Sequence, residues 1–159
     1  MIVARCGFPG RAGLVLLLLA AVLPLGGCTS DTLNVDPAVA PFVGDWLAAS
    51  MVITSVADPD VHPDLIEVGA TFSVNVQPSG QYTAILLYAG QSQTEIGQLS
   101  VSGSNVTLQP SFPSDAAPAT SAYSFPDVDH LVLDGATEFD FNVDGTPEAA
   151  QAHIELARR

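Results

Sequence analysis

The sequence predicts an all-β domain, a single up-and-down antiparallel barrel of about eight strands. Three observations lead there. Apolar and polar residues alternate with period two through most of the chain after Phe42. Gly, Pro, Asp and Asn punctuate that alternation at short intervals. No stretch after Phe42 carries a sustained helical period. A β-sandwich is the alternative architecture, because strand count alone does not separate the two.

The strands follow in order. Trp46–Thr54 is the first. In Thr71–Val76, Phe72, Val74 and Val76 share one face, and Thr71, Ser73 and Asn75 share the other. Gln77-Pro78-Ser79-Gly80 is a turn, in which Pro sets φ and Gly takes a positive φ. Gln81–Tyr88 is the partner strand, apolar on both faces after Ala84, and Ala89-Gly90 ends it. Glu95–Ser102 comes next, then a turn at Gly103–Asn105, then Val106–Gln109. Pro110–Thr120 is rich in Pro, Ser and Ala and reads as a loop. Ala122–Phe125 is short. His130–Leu133 runs into Asp134-Gly135, a hairpin signal, and Glu138–Val143 runs into Asp144-Gly145. Ala150–Arg158 is the last strand, with Ile154, Leu156 and Arg158 on one face. Closing such a sheet on itself removes the edges through which strands aggregate.

Residues 1–27 read as an export signal. Arg5 and Arg11 precede an apolar stretch, Ala12–Leu25, of 14 residues. That is short of the roughly 20 a spanning helix needs and suits a signal core. Leu25-Gly26-Gly27-Cys28 closes the segment and resembles a bacterial lipobox. Two small residues admit a peptidase to the backbone. The resemblance implies that the Cys28 thiol accepts a diacylglyceryl group, which makes the chain a membrane-anchored lipoprotein of the cell envelope. Ser30, two residues after Cys28, resembles the outer-membrane class, which faces the periplasm in a Gram-negative cell. Residues 28–41 then form the acylated tether and residues 42–159 the barrel domain. Cys6 departs with the signal, so the mature body holds no disulfide and depends on its apolar core.

Phe42-Val43-Gly44-Asp45-Trp46 resembles the Gly-x-Trp start of the first strand in lipocalins and lipocalin-like (calycin-type) bacterial domains. The resemblance implies that Gly44 turns the chain into the barrel floor, that Trp46 plugs it, and that Arg158 lies over the Trp face. Two features of standard lipocalins are missing: a Thr-Asp-Tyr motif and a disulfide pair.

Charge narrows the partners. All 17 acids follow Cys28, while only Arg158 and Arg159 do among the 4 basic residues. Two cations against 17 anions leave the mature body at −15, with no lysine at all. Such a surface excludes nucleic acid and is repelled by anionic headgroups. With 48% hydrophobic residues, the chain is not a disordered tail.

Little in the sequence nominates chemistry. Asp140, Asn142 and Asp144, followed by Gly145, match the first half of a calcium loop, but Gln151 occupies the twelfth position. The same acids also suit the wet face of a strand whose other face is Phe139, Phe141 and Val143. Asp58, Asp60, His62 and Asp64 are metal-capable groups without a recognised ligand spacing. His153 and Glu155 read as a solvated pair. No phosphate loop, dinucleotide fingerprint or hydrolase elbow occurs. An enzyme is not expected, nor is a cofactor. Two readings stand. One is a barrel that binds a small hydrophobic ligand against Phe72, Val74 and their counterparts. The other is a filled barrel with a structural or protein-interaction role. A cavity above ~300 Å³ favours the first. With no lysine to neutralise an anion, the expected ligand is neutral or cationic.

Overall fold

The computed structural model describes residues 35–159. The expected signal segment (residues 1–27), the lipobox-like Leu25-Gly26-Gly27 and Cys28 lie outside the described residues. Among these residues, eight antiparallel strands close into an up-and-down barrel. They are β1 (Gly44–Ser55), β2 (Thr71–Val76), β3 (Gln81–Tyr88), β4 (Gln91–Ser102), β5 (Asn105–Phe112), β6 (Ala119–Asp127), β7 (His130–Phe139) and β8 (Glu148–Arg158). An even strand number lets the last strand run antiparallel to the first. β8 pairs with β1 from Trp46↔Arg158 to Ser55↔Ala150, with a bulge between Ala48 and Ser50.

Alternation sorts the side chains. Trp46, Val76, Tyr82, Leu99, Val106, Leu131 and Leu156 are all buried and form one cluster with Val39 and Phe42. These positions lie at one end of the barrel, the floor, where both chain termini of the domain also arrive. A second cluster, Ile53, Leu65, Ala70 and Ala150, fills part of the opposite end, the mouth. Among the described residues, these two clusters make up the apolar interior of the barrel.

Val39 precedes the expected start of structure at Phe42, yet it is only 6% exposed. Residues 40–42 form a 3-10 turn that carries Phe42 into the floor.

The long β1–β2 connection repairs an exposed edge. β2 pairs with β1 only between Gly44 and Leu47. The rest of β1 would present unpaired backbone groups at the mouth. The connection bonds there instead: Leu65 N–H donates to Met51 O, Ile53 N–H to Pro63 O, and Ser55 N–H to Val61 O. Asp64 latches this segment. Its carboxylate accepts from Ser50 Oγ at 2.7 Å, Met51 N–H at 3.1 Å and Ile66 N–H at 2.8 Å. The latch presses Leu65 into the mouth cluster. Partial burial raises the Asp64 pKa, but these hydrogen bonds outweigh it and hold the carboxyl below its ordinary value. A depressed folded-state pKa stabilises the fold above the unfolded value, and the gain is lost as pH falls through the folded one. The stability difference between the wild type and Asp64→Ala is therefore expected to hold constant from about pH 7 to 5 and to shrink below about pH 4. Denaturant titrations at each pH check this. A difference that grows in acid contradicts the latch.

Three local expectations are corrected. Asp134-Gly135 is no hairpin: β7 runs through it, and Gly135 pairs with Ser121 on one side and Ala152 on the other. A Cβ on Gly135 would sit 2.5 Å from Ser121 Oγ, so glycine here serves a close approach of β6, not a turn. His130–Leu133 and the start of Glu138–Val143 are thus one strand. Pro110–Thr120 is not all loop, since β5 continues to Phe112 and β6 starts at Ala119. Pro110 pairs with Gly97 of β4 beside a register shift, and β6 has left β5 by Leu108↔Ala119. Its missing N–H leaves no partner unpaired on that side. β4 also begins at Gln91, before the expected Glu95.

Candidate functional site

The floor is built from the residues the sequence singled out. Trp46 is 1% exposed, and its indole N–H donates to Phe42 O at 2.8 Å. Arg158 Cζ lies 4.2 Å from the centroid of the Trp46 ring. Its guanidinium also donates to Val43 O at 2.6 Å, Pro41 O at 3.0 Å and Val128 O at 3.2 Å. Two of those carbonyls belong to the 3-10 turn and its exit, the third to the β6–β7 turn. One side chain thus ties the start of the barrel to its end. Gly44 has φ +134°, and a Cβ there would meet Arg158 Nη1 at 2.6 Å. Both the backbone conformation and the clearance for the guanidinium require glycine. Phe42 packs edge-on against Tyr123 and Phe125, at centroid distances of 4.9 and 5.1 Å. Tyr123 and Phe125 are floor residues that the sequence reading missed, although both lie on one face of the short Ala122–Phe125 segment.

Above the floor, three cavities occupy the barrel. The deepest, about 160 Å³, is walled by residues such as Phe72, Val74, Leu108 and Ile154. That is too small by itself for a typical ligand pocket. Two larger ones lie at the mouth. One of about 380 Å³ is bounded by Met51, Leu65, Tyr88 and Phe139. The other, about 760 Å³, opens where β4 and the β5–β6 connection part, between Gln93, Glu95, Phe112 and Ala116. Phe72 and Leu108 wall both the deep and the largest cavity, and Leu86 and Gln93 wall both mouth cavities. The space is therefore graded, narrow at the floor and wide at the mouth.

The widening has a structural cause. β5 and β6 pair only from Asn105↔Ala122 to Leu108↔Ala119. Residues 91–95 of β4 pair with β3 but not with β5, whose register on β4 begins at Ile96. The sheet splays at this seam.

Glu95 stands in the seam and was not singled out in the sequence. Its parity matches Leu99 and Val101, which was signal enough to place it inside. Tyr82, 1% exposed, donates its hydroxyl to Glu95 Oε1 at 2.5 Å. Burial, and the adjacent carboxylate, hold the Tyr82 hydroxyl protonated far above the ordinary phenol range.

The metal-capable oxygens are engaged locally. Asp140 accepts from the backbone N–H of Asp144 at 3.1 Å and of Gly145 at 2.8 Å. Asn142 Oδ1 also accepts from Asp144 N–H, and Asp144 accepts from Thr146 N–H. Each oxygen shapes the β7–β8 turn. Asp58 accepts from Asp60 N–H, while Asp64 turns away to Ser50, so these two carboxylates serve different contacts. Among the described residues, no three His, Cys, Asp or Glu side chains gather as a metal-binding group. His153 Nδ1 lies 2.7 Å from Asp134 Oδ1, and its Nε2 lies 3.5 Å from Glu155 Oε1, on the outer surface.

No protein-family model matches the chain, and no curated protein matches it. Among the described residues, no helix is long and apolar enough to cross a membrane.

Proposed function

We propose that this chain is a lipid-anchored protein of the cell envelope whose lipocalin-like barrel binds a small hydrophobic molecule at its mouth. The observation that carries the binding reading is the graded interior. Aromatic side chains and the Arg158 clamp close one end, while apolar-walled cavities of about 380 and 760 Å³ open at the other. Those volumes fall within the range of small-molecule sites. Anchoring rests on the order of Arg5 and Arg11, the apolar run and Leu25-Gly26-Gly27-Cys28. Membrane attachment through acyl chains at Cys28 leaves the body, at −15, free of anionic headgroups.

The small deep cavity of about 160 Å³ supports the other reading, a filled barrel with a structural or protein-interaction role. Native mass spectrometry separates the two. The body expressed from Thr29, which keeps the closed barrel and both apolar clusters, is expected to carry a noncovalent adduct, neutral or cationic. A barrel that carries no adduct, and takes up no added apolar dye such as N-phenyl-1-naphthylamine, leaves the structural lipoprotein.

A further inference from the structure

We infer that Glu95 is the recognition point for a cationic head group, so that the barrel selects amphiphilic amines over neutral or anionic molecules of the same shape. The inference rests on the binding reading and deepens it. It starts from the pattern of β4. Glu95 shares its face with Gly97, Leu99 and Val101, and its register partner on β3 is Ala84. A carboxylate is thereby set on the inner face of a strand, opposite a side chain too small to cover it. It borders the largest cavity beside Phe72, Leu86 and Leu108, which would accept an alkyl or aromatic body.

Among the described residues, no Lys, Arg or His lines either mouth cavity. Arg158, the basic residue on the inner face, is bound at the opposite end to the Pro41, Val43 and Val128 carbonyls. Glu95, which lines the larger mouth cavity while Glu138 and Asp140 line the smaller, therefore has no cationic side chain beside it there. An entering ammonium would replace water at the carboxylate with a charge-assisted hydrogen bond, while an entering carboxylate would meet a like charge beside an apolar wall.

The carboxylate is also held in place. The Tyr82 hydroxyl donates to Oε1, and burial keeps that hydroxyl a donor. Gly97 makes the arrangement possible, because a Cβ there would lie 2.8 Å from Tyr82 Cε1 and would also collide with Gln109 O. The bare backbone of β4 lets the phenol ring lie along it and reach Glu95.

A matched series tests the selection: dodecylamine, dodecanol and dodecanoate, each displacing N-phenyl-1-naphthylamine from the body expressed from Thr29. The amine is expected to bind about tenfold or more tighter than the alcohol, the size of one charge-assisted hydrogen bond, and the carboxylate most weakly. This wild-type ranking needs no variant, and equal binding of amine and alcohol overturns the inference. Glu95→Gln keeps an acceptor for Tyr82 and removes the charge. It is expected to abolish the amine's advantage over dodecanol measured on the same protein. If the advantage survives in a Glu95→Gln protein of wild-type stability, Glu95 is only the acceptor that Tyr82 needs. If the dye binds and the alcohol displaces it without an amine preference, binding stands and selection falls. If neither the dye nor any of the three binds, the binding reading falls, and the selection with it.

Discussion

Trp46→Ala is expected to cost about 3–5 kcal/mol of folding free energy, as large aromatic truncations in a core do. Total stabilities of small domains are about 5–15 kcal/mol, so the variant loses a large share. Three losses combine. The indole leaves a void under Phe125, whose ring centroid is 6.2 Å away. The Phe42 carbonyl loses its indole donor, and the Arg158 guanidinium loses the ring beneath it. A cation over an indole contributes roughly 0.5–2 kcal/mol. Arg158→Ala is expected to cost less than Trp46→Ala, because it removes contacts at the surface of the plug and not the plug itself. The double variant is expected to be non-additive, since the two side chains touch. Denaturant titration of the four proteins reads this out. A Trp46→Ala cost under about 1 kcal/mol means that Trp46 is not the floor plug.

Cys28→Ser is expected to release the protein from membranes into the soluble fraction, or to leave it as an unprocessed precursor that still carries its apolar N-terminal stretch. Thiolate chemistry is the reason: a serine hydroxyl is not ionised at neutral pH and does not accept the diacylglyceryl group in its place. Two or three acyl chains anchor stably where one is marginal, so no residual attachment is expected from the acidic body. Fractionation after labelling with a radioactive fatty acid checks it. The wild type should carry label in the membrane fraction, and the variant should carry none. An unlabelled wild type overturns the lipoprotein assignment.

The floor and the seam differ in how legible they were. Gly44 and Trp46 announce themselves because a glycine two residues before a tryptophan at the head of a strand is a local pattern. Arg158 follows from parity with Ile154 and Leu156, a property of one strand. Glu95 was equally available by parity with Leu99 and Val101, but an acid in an alternating run is ordinarily assigned to solvent. Its role depends on Ala84 opposite, Tyr82 beside it and the parting of β4 from β5, which involve other strands.

Alternation, turn residues and charge are short-range or compositional properties, and they are read directly from the sequence. They set the all-β class, most strand positions, the inner and outer faces and the acidic character. Closure was decided only in three dimensions, because the same eight strands could have formed a sandwich until β8 found β1. The reading of glycine and proline was decided there too. Asp134-Gly135 is a hairpin signal by composition and a mid-strand contact with Ser121 in the barrel. Pro110 looks like a loop residue until a register shift and an absent β6 partner leave its missing N–H without consequence. The physical reason is common to all of these. A residue's φ and ψ preference is carried by its own side chain, whereas the space it occupies and the partners it leaves unpaired belong to its neighbours across the sheet.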